Sequence, residues 1–440
     1  MVDCSCGAPQ RYVVPSHDKT PRTNSWRVPV TPHTRERAAR ACAAVLSVGV
    51  ALVTLWPVAG LGGSDLGVCV ICGEFGGVDS VLNIALFVPL GLAVRIGWPS
   101  SGRWWLVAIA ALSLGIEVLQ LRVITGRDAS LGDLLFNTLG GAVGGGAASL
   151  AGLLWRNKRR RSAAAIGAMS GAVGLFAAVA WALIPAQLPG WHWVQLAPVR
   201  MGYETFSGSV RLRTLGREWM AGDSITRPTR APTDTVQLVV AAAPLFAPGG
   251  HSLVARLANP HGVEFQVGVL GHDLTFRQRV NGTLVKLRAP TVRLSGGAAA
   301  DSGDFTLIVV RNRATWWVRS VSPQRQIYKA LPNSLGLGWQ LLSPTEHVSQ
   351  LLTSTLQHLW PALVLLAVGV AAGFAWAPWL AVGTTLGVGL LGLGVLPVLI
   401  GLSMSTLAEL TVAVVGACLG VWLGMMLHRA ALHGGTKPHQ

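Results

Sequence analysis

Eight runs of about 20 mostly apolar residues, each long enough to cross a bilayer as a helix, constrain this chain more than any other feature of its 440 residues. They lie near 41–60, 80–97, 104–121, 131–154, 163–184, 355–375, 379–400 and 404–427. Lipid offers no partner for backbone N–H and C=O groups, so spanning segments satisfy them internally. The runs therefore predict an α-helical integral membrane bundle. Composition agrees: 12% of residues are charged, 51% are hydrophobic, and mean hydropathy is +0.49. A soluble domain carries about 25% charged residues. A soluble enzyme, a disordered protein and a disulfide-dense secreted scaffold are excluded. No small-residue cleavage site follows the first run, which is expected to stay as an anchor.

Lys and Arg concentrate in cytoplasmic loops, and their placement here is self-consistent. Arg35, Arg37 and Arg40 precede the first span, and Arg95 and Arg103 flank the loop between spans two and three. Arg156, Lys158 and Arg159 to Arg161 join spans four and five, and Arg429 and Lys437 follow the last. This pattern predicts a multi-pass membrane protein with both termini cytoplasmic. Residues 1–40 read as a flexible cytoplasmic tail, 41–184 as a first membrane domain, 355–428 as C-terminal membrane helices and 429–440 as a second tail. Trp98, Trp104, Trp105, Trp155, Trp181, Trp360, Trp376 and Trp379 fall near the ends of the spans, where indole favours the interface.

Residues 196–345 differ in kind. Short apolar runs at 235–243, 252–257, 263–270, 283–287, 305–310 and 315–321 read as strands. Asn281-Gly282 between two of them is a hairpin signal. Many short strands and no amphipathic helix predict an inserted all-β sandwich, extracytoplasmic under the topology above. It holds 17 Lys and Arg against 8 Asp and Glu, a basic surface that attracts anionic partners. The stretches DTVQLVVAAAPL, VEFQVGVLGHDLTFRQRVNG and DFTLIVVRNRATWWVRSV resemble, in order, strands of the concanavalin-like, laminin-G-like jelly roll. That resemblance implies glycan binding, often through stacking aromatics. Trp316, Trp317 and Trp339 are the aromatics available, with core packing the favoured role for them. No Asp-rich loop suggests Ca²⁺, and no metal or cofactor is expected. Gly222-Asp223-Ser224-Ile225-Thr226 mimics an esterase nucleophile block, but a Ser without its base is a weak nucleophile.

Spans two to four carry polar residues at helical spacing. Asp79 and Asn83 are i,i+4, Glu117 and Gln120 are i,i+3, and Asp133 and Asn137 are i,i+4. Each pair shares one helix face, near the outer end of its helix. Arg127 and Ser130 lie in and beside the connecting loop. Ionisable groups at membrane depth are costly and usually face an interior or a pathway. These residues therefore predict a site at the outer leaflet, with a hydrogen-bonded network that merely orients three helices as the alternative.

The stretches DSVLNIALFVPLGL (79–92), LGIEVLQ (114–120) and GRDASLGDLLFNTLGGAVGG (126–145) closely resemble the VanZ-like family over about residues 43–153. At matching positions, Asn83, Glu117, Gln120, Arg127, Asp133 and Asn137 are that family's signature polar residues. The family takes its name from an accessory protein of glycopeptide resistance that raises tolerance to teicoplanin. The resemblance implies a cell-envelope location and a role with an envelope glycan, without specifying a reaction.

Three function classes follow. One is an envelope protein whose outer-leaflet pocket, with Asp79, Asn83, Gln120, Ser130 and Asn137, binds a lipid-linked precursor or cell-wall glycan while the sandwich positions wall polymer. Another is an enzyme with Glu117 or Asp133 as general base and Arg127 clamping a phosphate. The last is a non-catalytic scaffold. Membrane lipid is an expected partner and nucleic acid is not. Cys69 and Cys72 form a C-x-x-C, a disulfide candidate outside the cytoplasm. Gly140, Gly141, Gly144, Gly145 and Gly146 suit close helix approach. The chain's end also echoes span four: shifted by 276, Ser130 meets Thr406, Asp133 meets Glu409, Gly140 meets Gly416 and Gly144 meets Gly420.

Overall fold

The structure, a computed structural model, describes residues 32–55, 74–122, 130–154, 157–186, 190–196, 209–214, 217–220, 223–227, 233–241, 251–260, 262–271, 273–296, 305–312, 315–321, 326–343 and 349–433. Among these, eight helices are long and apolar enough to cross a membrane, and a separate β-rich region lies between the fifth and sixth. The helices are α1 (Pro32–Thr54), α2 (Gly76–Gly97), α3 (Trp104–Arg122), α4 (Leu131–Leu154), α5 (Lys158–Leu183) and α6 (Gln350–Ala375), followed by the span Pro378–Leu399 and the last helix (Leu407–His433). The seventh span is α7 (Pro378–Gly389), a π-helical stretch Leu390–Val395 and α8 (Leu396–Leu399); the last helix is α9.

The first helix departs from expectation. It starts at Pro32, so residues 32–40 are helical rather than part of a flexible tail. Proline suits a first helical position, where its missing N–H costs nothing. Glu36 and Arg40 pair across one turn. The Arg40 Nε donates to the Gly97 carbonyl at 2.8 Å, and its guanidinium lies 5.5 Å from the Trp98 ring.

Apolar helices in lipid gain little by hiding from it, so contact depends on close backbone approach. In α4, Gly140 and Gly144 sit on the backbone carbonyls of Ile84 and Val88 of α2, and Gly91 of α2 meets Gly141. A side chain at Gly91, Gly140 or Gly144 would collide with backbone, and one at Gly141 with the Ile109 side chain of α3. The same device recurs in α9: Gly416, Gly420 and Gly424 sit on the carbonyls of Ala362, Leu366 and Val370 of α6, while Gly369 and Gly373 of α6 meet Ala417 and Val421. Gly140 and Gly144 fall on Gly416 and Gly420 at an offset of 276, and their partners Ile84 and Val88 fall on Ala362 and Leu366 at 278. The echo seen in the last helix thus extends to a packed pair. At the remote end, Arg40 beside Trp98 has a counterpart in Arg161, which lies 5.1 Å from the Phe374 ring and 3.2 Å from His428 Nδ1.

The β-rich region begins at Gly190, earlier than the expected boundary at 196. Its first sheet has the order β4-β1-β6-β7-β8-β9, from β1 (Gly190–Leu196), β4 (Ser224–Arg227), β6 (His251–Asn259), β7 (Gly262–Leu270), β8 (Asp273–Gln278) and β9 (Thr291–Leu294). The second has the order β12-β11-β10-β5-β2-β3, from β2 (Ser209–Thr214), β3 (Arg217–Trp219), β5 (Thr233–Ala241), β10 (Phe305–Asn312), β11 (Thr315–Val321) and β12 (Gln326–Pro332). All pairings are antiparallel. One core joins the sheets: Val254, Phe265, Val267 and Phe276 from the first meet Leu307, Val309, Trp316 and Val318 from the second. Alternate side chains of a strand face opposite ways, which explains why Phe265, Val267 and Val269 go inward while Gln266 does not.

The expected hairpin at Asn281-Gly282 is absent. Asn281–Val285 form a 3-10 helix, and 283–287 is not a strand. The Thr283 hydroxyl bonds the Val280 carbonyl at 2.7 Å, and Lys286 ends the turn in a left-handed conformation at φ 58. The turn seats on helix ends instead of pairing in a sheet: Gly282 lies against Ala182 of α5, and the Val285 carbonyl meets Gly77 of α2. A second 3-10 helix, Leu335–Leu341, seats on α5, α6 and α9 through the buried Leu335, Leu337 and Leu341.

Candidate functional site

The end of the bundle that carries the β-rich region collects the starts of α2, α4 and α9 and the end of α3. Four of the expected residues are buried there: Glu117, Gln120, Ser130 and Asn137. Asn83 and Asp133 are half-buried and Asp79 is exposed. Arg127, Cys69 and Cys72 lie outside the described residues.

The contacts give each buried residue a task. Ser130 caps α4, its hydroxyl accepting from the backbone N–H of Gly132 at 3.1 Å and of Asp133 at 3.4 Å. The Glu117 carboxylate, arriving from α3, accepts from the Ser130 N–H at 2.9 Å. It thereby places an acidic group at a helix N-terminus, where the dipole favours it. Gln120 reaches α1, donating to the Thr54 carbonyl at 2.8 Å. The Asn137 amide donates to the Ser113 hydroxyl at 3.0 Å. Its carbonyl oxygen, on a side chain only 2% exposed, has no partner among the described residues. A buried acceptor left unmade costs about 1–3 kcal/mol, so this oxygen invites a donor from a water or a ligand.

The second helix pair has a comparable node. Glu409 is fully buried near the start of α9. One carboxylate oxygen accepts from Ser334 Oγ at 2.8 Å and Gln357 Nε2 at 2.7 Å. The other accepts from the Thr406 N–H at 2.8 Å, and the Thr406 hydroxyl accepts from the Glu409 N–H at 3.3 Å. This reciprocal pair is a capping box. Ser334 belongs to the segment leaving β12, so the node also ties the β-rich region to the helices. Glu409 stands opposite Asp133 in the offset of 276, and Gln357 stands opposite Asp79 at 278. Sequence reasoning missed Gln357 and Ser334; the Thr-x-x-Glu spacing at 406–409 was the available signal.

Residues 31–154 match the VanZ/LLP1 family model. The match covers α1 to α4, hence every residue of the polar cluster, and leaves the β-rich region outside it. With eight apolar helices, it marks a multi-pass membrane protein. No curated protein and no solved structure matches the chain.

In the β-rich region the two neighbouring tryptophans part ways. Trp316 is in the core, stacked on Phe265 at 5.4 Å. Trp317 faces outward and stacks on the exposed Tyr328 at 5.7 Å. Ser224, from the esterase-like block, lies in β4. Trp339 is half-buried in the second 3-10 helix.

Proposed function

We propose that this protein is a cell-envelope membrane protein whose VanZ/LLP1 segment binds a lipid-linked or glycan ligand at the outer leaflet, and so modulates glycopeptide susceptibility. The observation that carries this reading is the buried cluster of Glu117, Ser130, Ser113 and Asn137, with the unpartnered Asn137 oxygen among the described residues. Asp79, Asn83 and Asp133 form its more open side. The β-rich region acts as a concanavalin-like module that holds wall glycan, using the exposed Trp317–Tyr328 pair as a platform for a sugar face.

A scaffold is the second reading, favoured by the Glu117 bond to the start of α4, because such bonds between membrane helices act as glue worth about 0.6–2 kcal/mol. Expression of the full chain in a susceptible Gram-positive host separates the two. Inhibitory concentrations of teicoplanin and vancomycin are measured beside Glu117→Gln and Asp133→Asn at matched membrane levels. A teicoplanin-selective rise that both substitutions abolish supports the pocket. A rise that survives both substitutions supports the scaffold, and no rise at proven expression rejects the resistance role.

A further inference from the structure

A cleft of about 440 Å³ opens between the first sheet and the start of α2. Its floor comes from β7 and β8: Gln266, Arg277, Gln278 and the adjoining Arg279. Glu74 and Phe75, just before α2, and Thr283 of the first 3-10 helix form the rim. The walls are fixed to one another. Ala186 N–H bonds the Arg279 carbonyl at 3.0 Å, and Arg279 N–H bonds the Glu264 carbonyl at 2.9 Å. Arg288 lies 3.9 Å from the Phe75 ring.

Among the described residues, two cations, Arg277 and Arg279, and one anion, Glu74, line this cleft. Arg256, Gln266 and Arg277 stand side by side across β6, β7 and β8. Arg256 and Arg288 do not line the cleft but flank it, next to Gln266 and Phe75, and the fully buried Glu264 lies beside Arg279. Burial draws the Arg279 guanidinium below its ordinary range, with Glu264 opposing the shift. Two buried donors, Arg256 Nε and Gln278 Nε2, have no acceptor among the described residues. A cleft lined by two arginines and by the buried Gln278 amide suits an acceptor-rich anion, and the planar fork of arginine suits phosphate. The hydroxyl of Thr283 and the amides of Gln266 and Gln278 would serve hydroxyls beside it.

We propose that this cleft binds a phosphate ester bearing neighbouring hydroxyls, of the size of a glycerophosphate headgroup. Its place beside the start of a membrane span favours a lipid headgroup as the source. The site is separate from the Glu117 cluster and stands whether or not that cluster binds anything.

The test is titration calorimetry on the purified full chain in detergent, with glycerol 1-phosphate, dihexanoyl phosphatidylglycerol and dihexanoyl phosphatidylcholine as probes. Saturable binding of the phosphatidylglycerol probe, of glycerol 1-phosphate or of both is expected. Arg277→Gln should weaken it about tenfold, the loss of one charge-assisted contact. Glu117→Gln should leave it unchanged, which keeps this site distinct from the proposed pocket. Glu74→Gln, which removes an exposed anion from the rim, should tighten binding about two- to threefold, a gain that a misfolded variant would not show. Binding of the glycerol lipid alone identifies a lipid source; equal binding of glycerol 1-phosphate identifies the phosphate group itself. Three results overturn the proposal: neither anionic probe binds, the choline lipid binds as tightly as the glycerol lipid, or Arg277→Gln and Glu74→Gln leave the affinity of wild type.

Discussion

Substituting Glu409 by Gln probes how the β-rich region is fastened to the helices. The carboxylate accepts from three donors, Ser334 Oγ, Gln357 Nε2 and the Thr406 N–H, at 2.7–2.8 Å. A glutamine has nearly the same shape but only one acceptor oxygen. If that oxygen keeps Ser334 and Gln357, the new NH2 faces the Thr406 N–H, donor against donor. If the amide turns over, Thr406 keeps its partner, but the Ser334 hydroxyl and the Gln357 amide face an NH2 and can no longer donate to it. Either way at least one buried donor goes unmatched, at about 1–3 kcal/mol. With roughly 2–4 °C of melting temperature per kcal/mol for a cooperative unit of 150–250 residues, a loss of about 2 kcal/mol lowers the melting temperature by roughly 4–8 °C. Thermal unfolding in detergent, followed by tryptophan fluorescence, reads this directly. Gln357→Ala removes one donor and leaves the carboxylate two, so its shift should be the smaller. A Glu409→Gln protein that melts within about 1 °C of wild type, below the smallest of these shifts, would refute the reasoning.

The glycine contacts give a paired prediction. Gly144→Ala and Gly420→Ala each force a helix off a backbone carbonyl and should cost about 1–3 kcal/mol by overpacking, whereas Gly146→Ala, with open space around it, should be neutral or slightly stabilising; detergent melting curves compare the three. Trp316→Ala should destabilise by about 3–5 kcal/mol as a core truncation, while Trp317→Ala should leave unfolding nearly unchanged and abolish binding to purified wall polymer. Ser130→Ala should cost about 1 kcal/mol by uncapping α4, read as a lowered melting temperature with no change in polymer binding.

Segments long enough to reveal themselves were legible in the sequence. Seven of the eight spans lie within a few residues of the apolar runs, because a run of that length has one favourable state in lipid. The start of α1 at Pro32 was missed, since 32–40 is polar and its helix is held by Arg40 against Gly97 and Trp98, contacts far apart in the chain. The 281–287 segment failed for a similar reason: Asn-Gly is a local hairpin signal, but Gly282 and Val285 answer to Ala182 and Gly77. Among the candidate residues, spacing placed Glu117 and Gln120 on one helix face, yet it could not say that Glu117 would cap α4 and Gln120 would hold α1. Those partners come from tertiary packing, as does the division of Trp316 and Trp317 between core and surface.

The two helix pairs share a backbone plan but differ in what they enclose. At the offset of 276, Ser113, Glu117 and Asn137 fall on Gly389, Leu393 and Ala413, and the latter two lie in an apolar core with Phe176 and Leu365. The bulk is exchanged as well: Gly145 lies beneath Trp105, and at the same offset Val421 packs with Ala381. Even the amide at the start of the fourth helix changes partner, from Glu117 of the neighbouring α3 to Glu409 of α9 itself. Capping from within its own helix frees the second pair from needing a polar residue on the adjacent span. The second pair also receives the Ser334–Gly336 segment of the chain against Glu409, so its polar node is taken up in holding the β-rich region. Polar groups in a membrane interior are retained at a cost. The pair that carries Ser113, Glu117, Gln120 and Asn137 is therefore the one where a function has to be sought, whereas the buried Glu409 of the other pair ties the β-rich region to the helices.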